Sequence, residues 1–260
     1  MGWAVVAAFF GLALPIMAQT PPSPAEVFTA VYGENVKIVG NHGMWLCPKD
    51  RMDCPTGEGP DEVDVLKVAV VMERSEVIAY AVTSLNDDFD CHACAPLLGM
   101  AVFTWREHRW RVQRARADAT RFGTFGDPPT VSIVQIGPHL HGMMLTLRSM
   151  GQGYSTTSKK LLAVSESSIA TIWDATISES EDRIETVGRA TVAKMRASYR
   201  FVPNGDSDHF DLLVASRGRG YLEGKLAAEN WNDTYHFEDG TYHRVRRQVI
   251  NGMSAESTRK

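Results

Sequence analysis

The sequence lacks the motifs that identify common enzyme classes. It has no Gly-x-Ser-x-Gly nucleophile elbow and no His-Glu-x-x-His zinc motif. The stretch Gly151-Gln152-Gly153-Tyr154 has no third glycine at the spacing of a dinucleotide-binding loop, so it predicts a turn. No pair of carboxylates stands out for glycoside hydrolysis. These absences favour a non-catalytic protein.

Charge is absent from the first part of the chain, residues 1–18. The stretch from Trp3 to Leu14 is almost purely apolar, and Pro15 ends it. A short apolar run followed by a small residue such as Ala18 is typical of an export signal, and it is shorter than the roughly 20 residues of a transmembrane helix. The alternative is a buried N-terminal helix, since no Lys or Arg precedes the run. We expect residues 1–18 to be a signal peptide, residues 19–24 a Pro-rich tether, and the mature protein to be periplasmic or extracellular.

Cysteine is scarce, with only four in the chain: Cys47, Cys54, Cys91 and Cys94. In an oxidising compartment they are disulfide candidates, and the sequence leaves all three pairings open. The spacing of Cys91 and Cys94 also permits a redox-active pair or, together with His92, a metal site. A structural disulfide is the preferred interpretation, because a thioredoxin-type site would need a helix where a strand is predicted to follow.

The chain has no large excess of charge of either sign, and its formal net charge is −4 at pH 7. This balance argues against a general binder of nucleic acid or of anionic membranes. One short stretch is strongly basic and is opposed within it only by Glu107. We interpret it as the solvated face of a hairpin, with an anionic partner such as a polysaccharide, a lipid headgroup or a phosphate as the alternative. Its arginines are Arg106, Arg109, Arg111, Arg114 and Arg116.

Most of the remaining chain alternates apolar and polar residues or forms short β-branched runs between turns, which is typical of antiparallel hairpins. Turns are predicted at residues 73–76, 106–109 and 137–139, and Asp239-Gly240 suits a two-residue type I′ turn. The absence of strand–helix–strand alternation argues against Rossmann, thioredoxin-like and TIM-barrel folds.

A short helix is predicted from Ala25 to Tyr32, with Ser23 as its N-cap and Gly33 at its end. We therefore predict a mainly β domain over residues 25–248. Its antiparallel hairpins would form a sandwich or a partly open barrel with one or two short helices. A charged turn over residues 179–185 predicts a sub-boundary near 178–189, and residues 249–260 are expected to be a disordered tail.

Two pairs of histidines are predicted to share a face of a strand or hairpin. If Asp239-Gly240 forms the turn, His236 lies directly opposite His243 on the neighbouring strand. His139 and His141 lie two residues apart, so their side chains share a face if both are in a strand. Imidazoles placed in this way can bind Zn²⁺ or Cu²⁺. An exposed polar surface is the preferred interpretation of both pairs.

The preferred functional prediction is an exported, non-catalytic β protein with local disulfides that binds a protein or small ligand through its loops. The first alternative is a metal-binding protein that uses the Cys and His clusters, with Zn or Cu as the only cofactor. The second is an extracytoplasmic thiol–disulfide oxidoreductase at Cys91 and Cys94. Neither a nucleic-acid partner nor a stable membrane span after signal removal is expected.

Overall fold

The computed structural model describes residues 19–48, 59–86, 95–124, 126–151, 154–164, 168–185, 188–205, 207–222, 225–227 and 230–250. They form one helix, α1 (Pro24–Tyr32), followed by a 3-10 turn (Gly33–Asn35). The strands are β1 (Val36–Val39), β2 (His42–Trp45), β3 (Asp61–Glu73), β4 (Glu76–Asn86), β5 (Leu97–Arg106), β6 (Arg109–Arg121), β7 (Thr130–Gly137), β8 (Leu140–Gly151), β9 (Tyr154–Val164), β10 (Ile169–Glu185), β11 (Gly188–Val202), β12 (Asp211–Leu222), β13 (Lys225–Ala227), β14 (Asn230–Glu238) and β15 (Thr241–Ile250).

The strands form two antiparallel sheets. The first sheet has six strands in the order β1-β2-β3-β4-β5-β6. The second has nine: the order is β15-β14-β12-β11-β10-β9-β8-β7, and β13 pairs with β12. Neighbours in the sheets are mostly neighbours in sequence, as expected when short turns join β-branched runs. The predicted mainly β fold of antiparallel hairpins is confirmed.

The helix forms where the sequence predicts it, because both of its ends carry the appropriate residues. The Ser23 side chain accepts a hydrogen bond from the Glu26 backbone N–H, and the Glu26 carboxylate accepts one from the Ser23 backbone N–H. Pro24 occupies the first turn, and Gly33 ends the helix with a left-handed φ of 76°. The inward face of α1 buries Val27, Phe28, Val31 and Tyr32.

The first sheet lies between two cores. Phe28 on α1 packs with Val63, Ala81 and Phe103 on the helix side. On the opposite face Tyr80 and other residues pack against β8, β9 and β10 of the second sheet. Strands β4 and β5 are therefore buried on both faces. Residues that fill the second core include Ile78, Val82, Leu98, Met100, Met143, Leu145, Leu162 and Ile169.

The second sheet curves into a half-barrel. Its third core joins Met144 on β8 to Leu212 on β12 and Tyr242 on β15, strands that are far apart in the sheet order. Phe210 donates its backbone N–H to the Ile136 carbonyl at 2.7 Å, which fixes the start of β12 beside the end of β7. These contacts bring distant strands of one sheet together across its concave face.

The turns predicted at residues 73–76, 106–109, 137–139 and 239–240 are present, as two-residue turns at 74–75, 107–108, 138–139 and 239–240. The charged turn expected over residues 179–185 is wrong, because β10 continues to Glu185 and pairs there with β11. β15 also includes Val249 and Ile250, at the start of the predicted tail. Residues 1–18 and 251–260 lie outside the described residues. In the part of the chain that is described, no helix is long and apolar enough to cross a bilayer.

Candidate functional site

The concave face of the second sheet contains an open cavity of about 420 Å³. This volume is in the range of small-molecule sites, which often lie at the mouths of β-barrels. The cavity combines aromatic, apolar and charged side chains on β9 to β12, β14 and β15. The residues that line it are Tyr154, Ala175, Thr176, Glu179, Met195, Val214, Ser216, Trp231, Asp233, Tyr235 and Arg247.

An ion pair between a buried carboxylate and a partly buried arginine forms one wall of this cavity. Asp233 is only 3% exposed, and its two carboxylate oxygens accept hydrogen bonds of 2.7 and 2.6 Å from the Arg247 guanidinium. The guanidinium also lies 5.2 Å from the centroid of the Trp231 ring. Arg244 approaches the same carboxylate at 4.0 Å. The pair is thus a fixed, two-point contact beside an aromatic surface.

The register of β14 and β15 explains this convergence of charges. Asp233 is opposite Arg247, whereas Tyr235 is opposite Arg244, because the register shifts between Thr234 and Tyr235. Directly opposed residues share a face, so the bulge directs both arginines to the Asp233 face. Without it, two arginines three positions apart would lie on opposite faces.

A second acidic side chain lies deep in the cavity wall. Glu179 is 6% exposed and accepts a hydrogen bond of 3.1 Å from the Tyr154 hydroxyl. Ser216, on β12, is also buried, at 4% exposure. Burial raises the pKa of Tyr235, with the Asp233 charge as a further cause, so this phenol is a hydrogen-bond donor at neutral pH. The cavity therefore offers hydrogen bonds and charge beside apolar surface.

The predicted pair His236 and His243 is directly opposed in register, as the turn at 239–240 predicts. Their rings have different partners. His236 Nε2 lies 3.4 Å from an Asp211 oxygen, whereas His243 Nε2 lies 2.8 Å from the Thr241 hydroxyl. Each imidazole therefore has a polar partner of its own.

The other predicted pair is also divided between two environments. His139 is exposed in the turn between β7 and β8. His141 lies in β8, and its Nδ1 is 2.9 Å from the Glu73 carboxylate of the first sheet. The Tyr80 hydroxyl donates to the same carboxylate at 2.7 Å, and burial, followed by the Glu73 charge, raises the Tyr80 pKa. This cluster joins the two sheets.

The five predicted arginines lie together on one face of the β5–β6 hairpin. Arg114 and Arg116 are directly opposite Val102 and Met100, residues of β5 whose side chains pack toward the second sheet. Arg106 pairs with Glu76 at 2.7 Å, and both Arg109 and Arg111 pair with Glu107, at 3.5 and 2.9 Å. Arg114 donates to the Gln113 carbonyl, and Arg116 contacts Asp118 at 3.1 Å.

The cysteine cluster falls largely outside the described residues. Cys47 follows β2 and packs, partly buried, against the core beneath α1. Cys54, Cys91, His92 and Cys94 are not described, so the disulfide pairing, the redox pair and the metal site predicted there stay predictions.

The sequence reasoning did not identify a third histidine cluster, on β2 and β3. His42 Nδ1 lies 3.0 Å from a Glu62 oxygen and 2.5 Å from an Asp64 oxygen. Within the described ranges, this is the one group of three such side chains whose ligand atoms all lie within 4.8 Å. The sequence does show that Glu62 and Asp64 are two residues apart and so share a face of one strand. Only the pairing of β3 with β2 shows that His42 lies beside them.

The cavity on the second sheet was also absent from the sequence predictions, because Glu179 lies in a segment predicted as a turn. Asp233 lies before the predicted pair of His236 and His243 in the sequence. Its arginine partners can be recognised only once the bulge in β15 is known. Comparison with known proteins finds no matching family model, curated protein or solved structure.

Proposed function

We propose that this chain is an exported binding module that holds a small amphipathic molecule in the concave cavity of its second sheet. The observation that carries the proposal is the burial of Asp233 and Glu179, at 3% and 6% exposure, in the wall of an open cavity. Export follows from the signal-like N-terminal segment and is part of the same proposal.

The energetic argument is that buried charges are costly for a fold to retain. Moving a carboxylate and a guanidinium out of water is only partly offset by their attraction, and apolar replacements are often as stable. The Asp233–Arg247 pair is therefore better explained by recognition of a ligand than by stability of the sheet. Its fixed geometry preorganises hydrogen-bonding groups for a polar substituent.

The apolar part of the ligand would contact the remaining wall. Trp231 and Tyr235 provide flat aromatic surfaces, and Met195 provides a polarizable side chain that adapts to different shapes. A cavity of about 420 Å³ accommodates a molecule of one or two rings rather than a long lipid chain. We therefore assign the ligand class as a compact aromatic or cyclic molecule with one polar group.

The test uses three fragments of the same shape: benzylamine, benzyl alcohol and sodium benzoate. Each is titrated into the full chain, and the Met195 methyl and Trp231 indole signals are followed by NMR. We expect saturable shifts with at least one fragment, and the preferred charge identifies the polar group of the ligand. The absence of saturable shifts with all three would contradict the proposal.

A blocking variant separates the cavity from other surfaces. Ala175 lines the cavity and packs against the third core, so Ala175→Trp places a large ring in the cavity. Asp174→Trp, at the exposed neighbouring position on the same strand that does not line the cavity, is the matched control. Fragment binding should be lost in Ala175→Trp and retained in Asp174→Trp, whereas equal binding by both variants would place the fragments elsewhere.

A second candidate function, binding of a divalent cation, is favoured by the convergence of His42, Glu62 and Asp64. One imidazole and two carboxylates form a suitable ligand set for Zn²⁺. Calorimetric titration with Zn²⁺ tests it. We expect binding of one equivalent that His42→Gln abolishes and His139→Gln, at an exposed turn histidine, leaves unchanged. Equal loss in both variants, or no binding, would remove this candidate.

A further inference from the structure

A second cavity, of about 390 Å³, lies on the β5–β6 hairpin, well separated in the chain from the strands that form the first. It is lined by Thr104, Arg106, Glu107, Arg111, Val112 and Gln113. Two of these are arginines, Arg106 on β5 and Arg111 on β6, and Arg109, Arg114 and Arg116 lie beside them on β6. We propose that this cavity is an oxyanion site that binds a phosphate group.

Thr104 provides the first observation that points to a ligand. It is 2% exposed, and among the described residues its hydroxyl has no hydrogen-bond partner. A buried hydroxyl without a partner costs free energy, and native structures usually satisfy such groups. A phosphate oxygen in the cavity would accept this hydrogen bond.

The alignment of the arginines is the second observation. Thr104 is directly opposite Arg111, and Val102 is directly opposite Arg114. The register shifts between Val102 and Phe103, which leaves Gln113 as an extra residue on β6. Because of this bulge, Arg109 and Arg111, which precede Gln113, lie on the same face as Arg114 and Arg116, which follow it.

Arginines outnumber carboxylates among the described residues of this face. The five arginines named above pair there with three acidic side chains, Glu76, Glu107 and Asp118. Glu107 is shared by Arg109 and Arg111 and is 75% exposed. An exposed carboxylate that orients two guanidiniums can be displaced by a phosphate at low cost, because exposed ion pairs contribute little to stability.

The row of guanidiniums indicates which phosphates fit best. Residues two apart on a strand are about 7 Å apart, so the long arginine side chains of this row can reach several phosphate groups of one compound. Guanidinium groups bind phosphate oxygens through two parallel hydrogen bonds. We therefore expect tripolyphosphate to bind more tightly than inorganic phosphate.

The experiment titrates inorganic phosphate and tripolyphosphate into the full chain at low ionic strength by calorimetry. A parallel arm measures cosedimentation with phosphatidylcholine vesicles, with and without phosphatidylglycerol. Saturable binding of soluble phosphate identifies a free phosphate compound, and binding only to the phosphatidylglycerol vesicles identifies a lipid headgroup. No saturable binding in either arm would overturn the proposal.

Three variants test the geometry. Thr104→Val removes a hydroxyl that has no partner, so the chain should fold at least as stably while its affinity falls about tenfold. Arg111→Gln should weaken binding further. Glu107→Gln removes the competing carboxylate and should strengthen binding about fivefold, an effect that a purely structural role for Glu107 would not produce.

Arg246→Gln is the matched control, since it removes one exposed arginine on β15 outside the hairpin. Its affinity should stay within about twofold of the wild type, because screening weakens interactions between distant surface charges. Equal loss in Arg246→Gln and Arg111→Gln would indicate general attraction of anions and overturn the site. Unchanged affinity in Thr104→Val would do the same.

Discussion

The core beneath α1 and the concave face of the second sheet are both buried, but they differ in polarity. Beneath the helix the buried side chains are mainly apolar, and the buried Tyr32 hydroxyl is satisfied by Thr83 at 2.7 Å. On the concave face Glu179, Ser216 and Asp233 are as buried as the leucines beside them.

This difference indicates a division of roles between the two regions. Apolar burial contributes about 25 cal/mol per Å² and needs no exact geometry, so the helix-covered core is suited to stabilising the fold. Buried polar groups contribute little net stability but have fixed positions and partners. We expect substitutions in the first region to change stability and substitutions in the second to change binding.

The strongest test of this contrast is Phe28→Ala in α1. Phe28 is fully buried, so the truncation should lower the free energy of unfolding by about 3–5 kcal/mol. Urea unfolding followed by circular dichroism measures the loss. Thr29→Ala, at the exposed neighbouring position of the same helix, should change stability by less than about 0.5 kcal/mol. A loss below about 1 kcal/mol for Phe28→Ala would contradict the assigned role of this core.

The second test removes the ion pair of the concave face. Asp233→Leu alone should cost about 2–3 kcal/mol, because Arg247 loses its charge-assisted hydrogen bonds to the carboxylate. The double variant Asp233→Leu with Arg247→Met should recover most of that loss, since well-packed apolar pairs often replace buried ion pairs. Urea unfolding and the fragment titration are measured on both. A double variant that is less stable than Asp233→Leu would show that the pair serves the fold.

The turns of the two sheets allow a smaller test. In the first sheet Ser75 has a left-handed φ of 70° without being glycine, whereas in the second sheet Gly240 provides the left-handed position, with φ of 83°. Ser75→Gly should therefore raise the free energy of unfolding by about 1 kcal/mol, and Gly240→Ala should lower it by a similar amount. Thermal unfolding measures both. Destabilisation by Ser75→Gly would indicate that the serine side chain contributes more than the turn geometry.

The smallest expected effect concerns the pH dependence of the second sheet. His209 stacks on Phe237 with ring centroids 3.6 Å apart, and burial lowers its pKa, with Asp208 opposing the shift. The folded state therefore binds a proton at His209 less well than the unfolded state does. The contribution of neutral His209 to the free energy of unfolding is complete above the usual histidine pKa and decreases as the pH falls below that value. His209→Phe keeps the stack and removes the titration.

Urea unfolding at pH 7.5 and 5.5 compares the wild type with His209→Phe. The wild type should lose more stability than the variant between these values. An equal loss would assign the pH dependence to other groups.

The local structure was predictable where short-range rules decide it. Ser23, Pro24 and Gly33 specify the ends of the helix without reference to the rest of the chain. Asp239 and Gly240 likewise specify a turn that sets His236 opposite His243. In each case the information lies within a few residues.

The candidate sites were less predictable because they depend on bulges and on pairing between distant strands. The extra residue Gln113 aligns four arginines that simple alternation would divide between two faces. The bulge in β15 does the same for Arg244 and Arg247. A bulge has no reliable sequence signal when the extra residue is not glycine. The charged segment ending at Glu185 was assigned to a turn because charge is common in turns as well as on exposed strands.

Strands β4 and β5 contact both the core beneath the helix and the second sheet. This double coverage determines which backbone amides exchange last when the protein partly unfolds. Their amide hydrogens cannot reach water through fraying of α1 alone or of the curved sheet alone, because the other core would still cover them. In native-state hydrogen exchange we expect them to exchange last, at the free energy of complete unfolding. Edge strands such as β1 and β15 should exchange through local opening, at a much smaller free-energy cost.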